Sequence, residues 1–138
     1  MLFKRTLSAL IWAALLCATH QAAEVAQKDD GFRRFYADFQ NAVKAGDKEG
    51  VARLTNFDHF TWEASDSLRR VKTKEDFMKN YDKMFTQVVK TKIATAKPIK
   101  TDEGYFIEWH TRDLEYSLYF AREKDGSYSF LGLTMGPR

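Results

Sequence analysis

Helical spacing in the first two thirds of the chain and alternation in the last third predict an α+β domain. Apolar residues recur three and four apart at Phe32, Phe35, Tyr36, Phe39 and Val43, and again at Phe77, Tyr81, Met84, Phe85 and Val88. From Ile99 onward they recur every second residue, and Pro98 stands just before the change, where its ring ends helical bonding. The expected order is helix, helix, strand, helix and then three long antiparallel strands, in one domain over 24–138 behind a signal peptide over 1–23.

The opening MLFKRTLSALIWAALLCATHQAAEV places Lys4 and Arg5 before an apolar run and follows it with small and polar residues, the layout of a secretory signal. A membrane anchor is the competing reading, but a spanning helix needs about 20 apolar residues and this run is shorter. Cleavage is expected between Ala18 and Glu24, with Ala22 and Ala23 offering the small side chains. Cys17 follows the bulky Leu16, which is wrong for lipoprotein processing, so a free periplasmic or secreted product is expected. Cleavage removes the chain's one cysteine, leaving roughly 115 residues that must rely on a hydrophobic core without disulfides. It also lowers 22 basic residues to 20 against 19 acidic ones, a net charge of +1. That balance gives no electrostatic case for nucleic acid, and nothing remains to hold the product in a membrane.

The mature chain opens with an amphipathic helix whose stripe runs from Phe32 to Val43, with Arg33, Arg34, Asp38, Gln40 and Lys44 on the other side. Ala45-Gly46-Asp47 supplies a left-handed stop and a new N-cap, so a short second helix runs through about Leu54 and completes a hairpin. In FDHFTWEASDSLRRVK, Phe60, Trp62 and Ala64 alternate with His59, Thr61, Glu63 and Ser65, a short strand with one buried face. Arg69, Arg70, Lys72 and Lys74 then form a basic cluster, either a receiver for an anion or a solvated connection, the second being expected. Thr73 and Asp76 make a capping pair for a third helix continuing to about Thr95. Beyond the turn at Thr101–Gly104, Tyr105, Ile107 and Trp109 share one strand face, and Phe106, Glu108 and His110 the other. The chain reverses near Arg112-Asp113. Leu114, Tyr116, Leu118 and Phe120 then line up opposite Glu115, Ser117 and Tyr119. Asp125-Gly126 suits a tight hairpin with two positive φ angles before a last strand to about Thr134.

This order resembles the nuclear transport factor 2-like superfamily, SnoaL-like domains included. FYADFQNAVKAGDKEGVARL resembles its opening helical hairpin, KTKEDFMKNYDKMF its third helix, and the aromatic strands ending SYSFLGL its curved sheet. The resemblance implies a cone in which three N-terminal helices pack in the concave face of a curved antiparallel sheet, with a pocket at the open end. If the apolar strand faces line that cone, Trp62, Tyr105, Trp109 and Tyr116 border the pocket, as an apolar wall with phenol and indole handles. On this parity Glu108, His110 and Arg112 face solvent or a second subunit. Their clustering is then a surface charge pattern.

No catalytic signature is present, and no catalytic residue is assigned. Metal binding is not expected, because three or four ligands are needed and the mature chain has only His59 and His110 with no cysteine. No cofactor is expected either, as no glycine-rich phosphate loop occurs. Asp113 or His59 beside Tyr105 or Tyr116 is the best acid-base pairing available. The leading reading is an exported, non-catalytic protein that holds a small, partly apolar ligand in an aromatic-lined pocket. The alternatives are a periplasmic interaction module (an inhibitor or immunity protein) and a small isomerase or lyase. Homodimerisation through the sheet's outer face is a further expectation that the resemblance implies. An exposed apolar patch would favour the interaction module.

Overall fold

In a computed structural model of the chain, residues 30–65 and 67–138 are described. Two compact units divide it, Met1–Arg33 and Arg34–Arg138. Of the first, only residues 30–33, the start of a helix, are described, so the signal segment lies outside the described residues.

Helix α1 covers residues 30–45. Within the second unit it buries Phe35, Tyr36, Phe39 and Val43 on one stripe, as the spacing requires. Gly46, at φ 67, ends it. The Gly46 amide donates to the Val43 carbonyl at 3.2 Å and the Asp47 amide to that of Ala42 at 2.9 Å, the paired bonds of a Schellman cap. Asp47 then accepts from the Gly50 amide at 2.8 Å and starts α2, Lys48–Arg53.

The third predicted helix is two helices. α3 spans Lys74–Met84, with Thr73 accepting from the Asp76 amide at 3.1 Å, and α4 spans Gln87–Thr95 with Thr86 as its own N-cap. Thr86 takes an extended ψ of 166° and its hydroxyl accepts from the Val89 amide, which breaks the ladder where the apolar spacing runs on unbroken. The break rotates the stripe: Val89 and Ile93 are buried and Val88 is exposed. Among the described residues there are four helices where three were expected. α4 is tied to α1 by Tyr36, whose hydroxyl donates to the carbonyls of Ile93 at 3.1 Å and Ala96 at 3.3 Å.

Six strands form one open sheet: β1 Thr61–Ala64, β2 Ser67–Arg69, β3 Ile99–Lys100, β4 Gly104–His110, β5 Leu114–Arg122 and β6 Tyr128–Pro137. Their order is β2-β1-β6-β5-β4-β3, and β1 runs parallel to β6. The sheet is therefore mixed, where an antiparallel one was expected, because the chain returns from the β4–β6 meander to lie beside β1 in the same direction. A Cβ at Gly132 would lie 2.5 Å from the Thr61 carbonyl oxygen, so this close pairing needs glycine there. The two short edge strands, β2 and β3, are not among the strands the sequence pattern predicts. The β5–β6 hairpin also differs: only Gly126 takes a positive φ, 87°, and its amide donates to the Glu123 carbonyl at 3.0 Å. This is a turn closed by one left-handed glycine, without the two-positive-φ geometry that Asp-Gly suggests.

α1 and the end of α3 pack their rings against one sheet face, the inner face. Phe39 meets Phe120 and Phe130 with ring centroids 5.2 and 5.0 Å apart, Phe60 meets Phe130 at 5.3 Å, and Phe85 stacks on Tyr81 at 4.5 Å. Outside this core, Glu123 accepts from Asn56 at 2.8 Å and from the Ser129 hydroxyl, which holds its carboxyl below the usual range and ties the segment before β1 to the β5–β6 hairpin.

Tyr81 is fully buried and its hydroxyl has no hydrogen-bond partner among the described residues. Burial, and after it the neighbouring Asp82 and Asp47, push this phenol from 10.0 up to about 12, and burial does the same for Tyr36. The folded phenols keep their protons above the pH at which the unfolded chain releases them. The associated stability is full below pH 10 and is lost as pH rises to about 12, on the order of 2–3 kcal/mol per phenol. Tyr81→Phe removes an unsatisfied hydroxyl as well, so urea unfolding at pH 7 is expected to show stability equal to wild type or higher by about 1 kcal/mol. The same variant loses less stability than wild type between pH 10 and pH 12.

Candidate functional site

The four aromatic residues singled out from the sequence stand on the inner face, but not as one cluster. Trp109 of β4 and Tyr116 of β5 are register partners, and their rings stack at 4.8 Å with planes 3° apart. Trp62 lies on β1, with β6 between it and β5, and the Arg69 guanidinium sits 5.1 Å over its ring. Arg69 thus leaves the basic cluster to cap an indole. Tyr105 lies beyond the Ile107–Leu118 pair from Trp109 and meets Tyr128 edge-on at 6.0 Å.

Trp62, Trp109 and Tyr116 are buried, and Tyr105 is half-buried. Among the described residues the indole N–H groups of Trp62 and Trp109 have no acceptor, each an unmet donor that costs about 1–3 kcal/mol relative to a bonded one. Beside Trp109, a shallow groove of about 370 Å³ runs along α4, lined by Gln87, Val88, Thr91, Lys92, Thr95 and Thr111.

The suggested acid-base pairs are not assembled. Asp113 is exposed at the β4–β5 turn and its backbone carbonyl accepts from the Arg138 amide at 3.2 Å, while Tyr116 is buried in the Trp109 stack. His59 is exposed on the rim of a groove that Tyr105 also lines, with no bond between the two among the described residues. Among the described residues, no group of three or more His, Cys, Asp or Glu is placed to hold a metal.

The sheet's outer face carries the more developed surface, organised by strand register into rows. One row runs Ile99, Phe106, Tyr119, Gly132, Thr61 across β3, β4, β5, β6 and β1. The next runs Glu108, Ser117, Thr134, Glu63, Leu68, and a third His110, Glu115, Gly136. The register shifts between Tyr119 and Phe120, so that Tyr119 faces Gly132 and Phe120 faces Phe130. Leu131 is left at a bulge that adds a further apolar side chain to the first row.

A groove of about 590 Å³ follows that row, lined among others by Phe106, Tyr119, Ala121 and Leu131 with Asp102, Glu103 and His59 at its borders. Ile99 and Tyr119, 55% and 43% exposed, share the first row with the half-buried Phe106 between them, whereas Leu68, 57% exposed, stands apart on β2 at the opposite edge of the sheet. A contiguous apolar patch such as Ile99, Phe106 and Tyr119 marks a candidate interaction surface. A second groove of about 370 Å³ is lined by Glu63, Glu108 and Glu115 with Ser117 and Thr134.

The sequence signal for this face was present: Tyr105-Phe106 and Tyr119-Phe120 place aromatic residues on both parities of a strand, so one of each pair must face outward.

No protein-family model matches the chain, and no curated protein matches it. Among solved structures, a crystal structure from Shewanella frigidimarina NCIMB 400 described as a "putative ketosteroid isomerase" is similar at a TM-score of 0.35 and 11% identity. The similarity covers 74% of this chain and 91% of that one. Similarity at that level defines neither a family nor an activity.

The two faces predict opposite mutational responses. Trp109→Ala removes a buried, stacked indole and is expected to cost about 3–5 kcal/mol in urea unfolding. Tyr119→Lys, on the exposed row, is expected to change stability by no more than about 0.5 kcal/mol.

Proposed function

We propose that this protein is an exported, non-catalytic binding module of the nuclear transport factor 2-like type, and that it engages another protein through the outer face of its sheet. One observation carries the reading: an apolar row, exposed at Ile99 and Tyr119 and half-buried at Phe106 and Leu131, crosses four strands, and its Phe106, Tyr119 and Leu131 line a groove of about 590 Å³. The aromatic residues of the inner face are spent on packing, with Phe39, Phe77, Tyr81 and Phe130 at 0% exposure. Export rests on the signal-like first 23 residues, and the family assignment on the order and patterning of the elements. A self-pairing of the sheet is the competing occupant of the same face.

A second reading keeps the small, partly apolar ligand and is favoured by the unpartnered indole N–H of Trp109 beside the α4 groove. An acceptor on the ligand would meet that donor, and Tyr116, Trp62 and Tyr105 would supply the surrounding aromatic wall.

Site-specific photocrosslinking in cells that produce and export the protein separates these readings. A crosslinker at Tyr119 is expected to trap a different protein, whereas one at the exposed Lys79 of α3 traps none, and Phe106→Lys abolishes the Tyr119 product. Crosslinks only to a second copy, or none at Tyr119, overturn the proposal. A small molecule that co-purifies and is lost on Trp109→Phe establishes the second reading.

A further inference from the structure

Resting on that reading of the outer face, we infer that the segment docking there is a cationic amphipathic helix lying across the strands. Neighbouring strands lie about 4.8 Å apart, so Ile99, Phe106, Tyr119 and Leu131 on four adjacent strands span about 14 Å. An α-helix rises 1.5 Å per residue, and its i, i+4, i+7 and i+11 side chains span about 16 Å, long enough to cover such a row. The row runs across the strands, a direction that a helix follows in register and that an added strand does not.

Charge selects the helix. The second row lies two residues further along each strand, about 6.6 Å away, just outside the half-width of about 5–6 Å of a helix about 10–12 Å across. A Lys or Arg on the flank of a helix seated on the apolar row therefore reaches Glu63 and Glu108, with Glu115 one row beyond. Among the described residues none of the three carboxylates is engaged in an ion pair. The three rows contain no Lys or Arg, although the chain has 22 such residues. This sign segregation argues against a second copy as occupant. Isologous pairing would bring three more carboxylates into the interface, with no Lys or Arg in these rows of either copy to meet them. A partner helix with Leu-type residues on its seam and Lys or Arg on one flank answers both rows.

The probe is a designed helical peptide of about 14 residues with leucines on one face and lysines on the flanks, set against the same peptide with glutamates in place of lysines. Each is titrated into isotope-labelled protein and read by amide shifts. The lysine peptide is expected to shift residues around Phe106, Tyr119 and Leu131 and to bind at least about tenfold more tightly than the glutamate peptide, a preference that fades with salt. Glu63→Gln, Glu108→Gln and Glu115→Gln together remove the preference, and Tyr119→Lys abolishes binding. Equal binding of both peptides on this face overturns the charge inference and leaves the docking face standing. No binding, or shifts located elsewhere, overturns both. Concentration-dependent dimerisation that Tyr119→Lys abolishes assigns the face to a second copy and overturns the helix.

Discussion

The packing of Phe39 against Phe120 and Phe130 is the interaction on which the rest of the structure depends. Phe39 is fully buried on α1, and its two ring contacts join that helix to β5 and β6, the strands at the centre of the sheet. Phe130 is also reached by Phe60 from the segment before β1 and by Phe85 from the end of α3. One central strand position therefore gathers three separate stretches of chain. Truncating such a phenylalanine in a core costs about 3–5 kcal/mol, a large share of the stability of a domain this size.

That arrangement has a functional consequence. Every aromatic ring committed to the α1–β5–β6 junction is withdrawn from ligand contact, and the inner face becomes the means of folding. The outer face then holds the residues that folding does not explain: Phe106 and Tyr119 on the parity of Glu108 and Ser117, and Leu131 at the bulge. A chain with slightly more basic than acidic residues nonetheless shows carboxylates and no Lys or Arg in those three rows. Its basic cluster lies at β2 and the approach to α3, where Arg69 covers Trp62 and Lys74 pairs with Glu49.

What was legible in the sequence was local. The α1–α2 hairpin follows from an aromatic stripe, a left-handed Gly46 and a capping Asp47, three signals within a few residues of one another. The β4–β6 strands follow from alternation, and the Trp109–Tyr116 stack from shared parity across a short turn. The α3–α4 break was hidden because Thr86 is tolerated inside helices, and only its extended backbone and bond to the Val89 amide reveal it as a cap. The parallel β1–β6 pairing joins residues some seventy positions apart, such as Trp62 and Leu133, and no local pattern encodes a direction of approach. The outer-face row was overlooked for a related reason: alternation was used to find the core, and the aromatic residues left on the opposite parity carry meaning only when neighbouring strands are aligned.

Aromatic and methyl NMR with a soluble paramagnetic probe tests the division of labour between the two faces most directly. The account predicts strong broadening of Ile99, Phe106 and Tyr119 and little for Phe39, Phe130 and Trp109. Protection of Tyr119 together with broadening of Trp109 and Trp62 would contradict it, by showing the outer face covered and the inner face open to ligand.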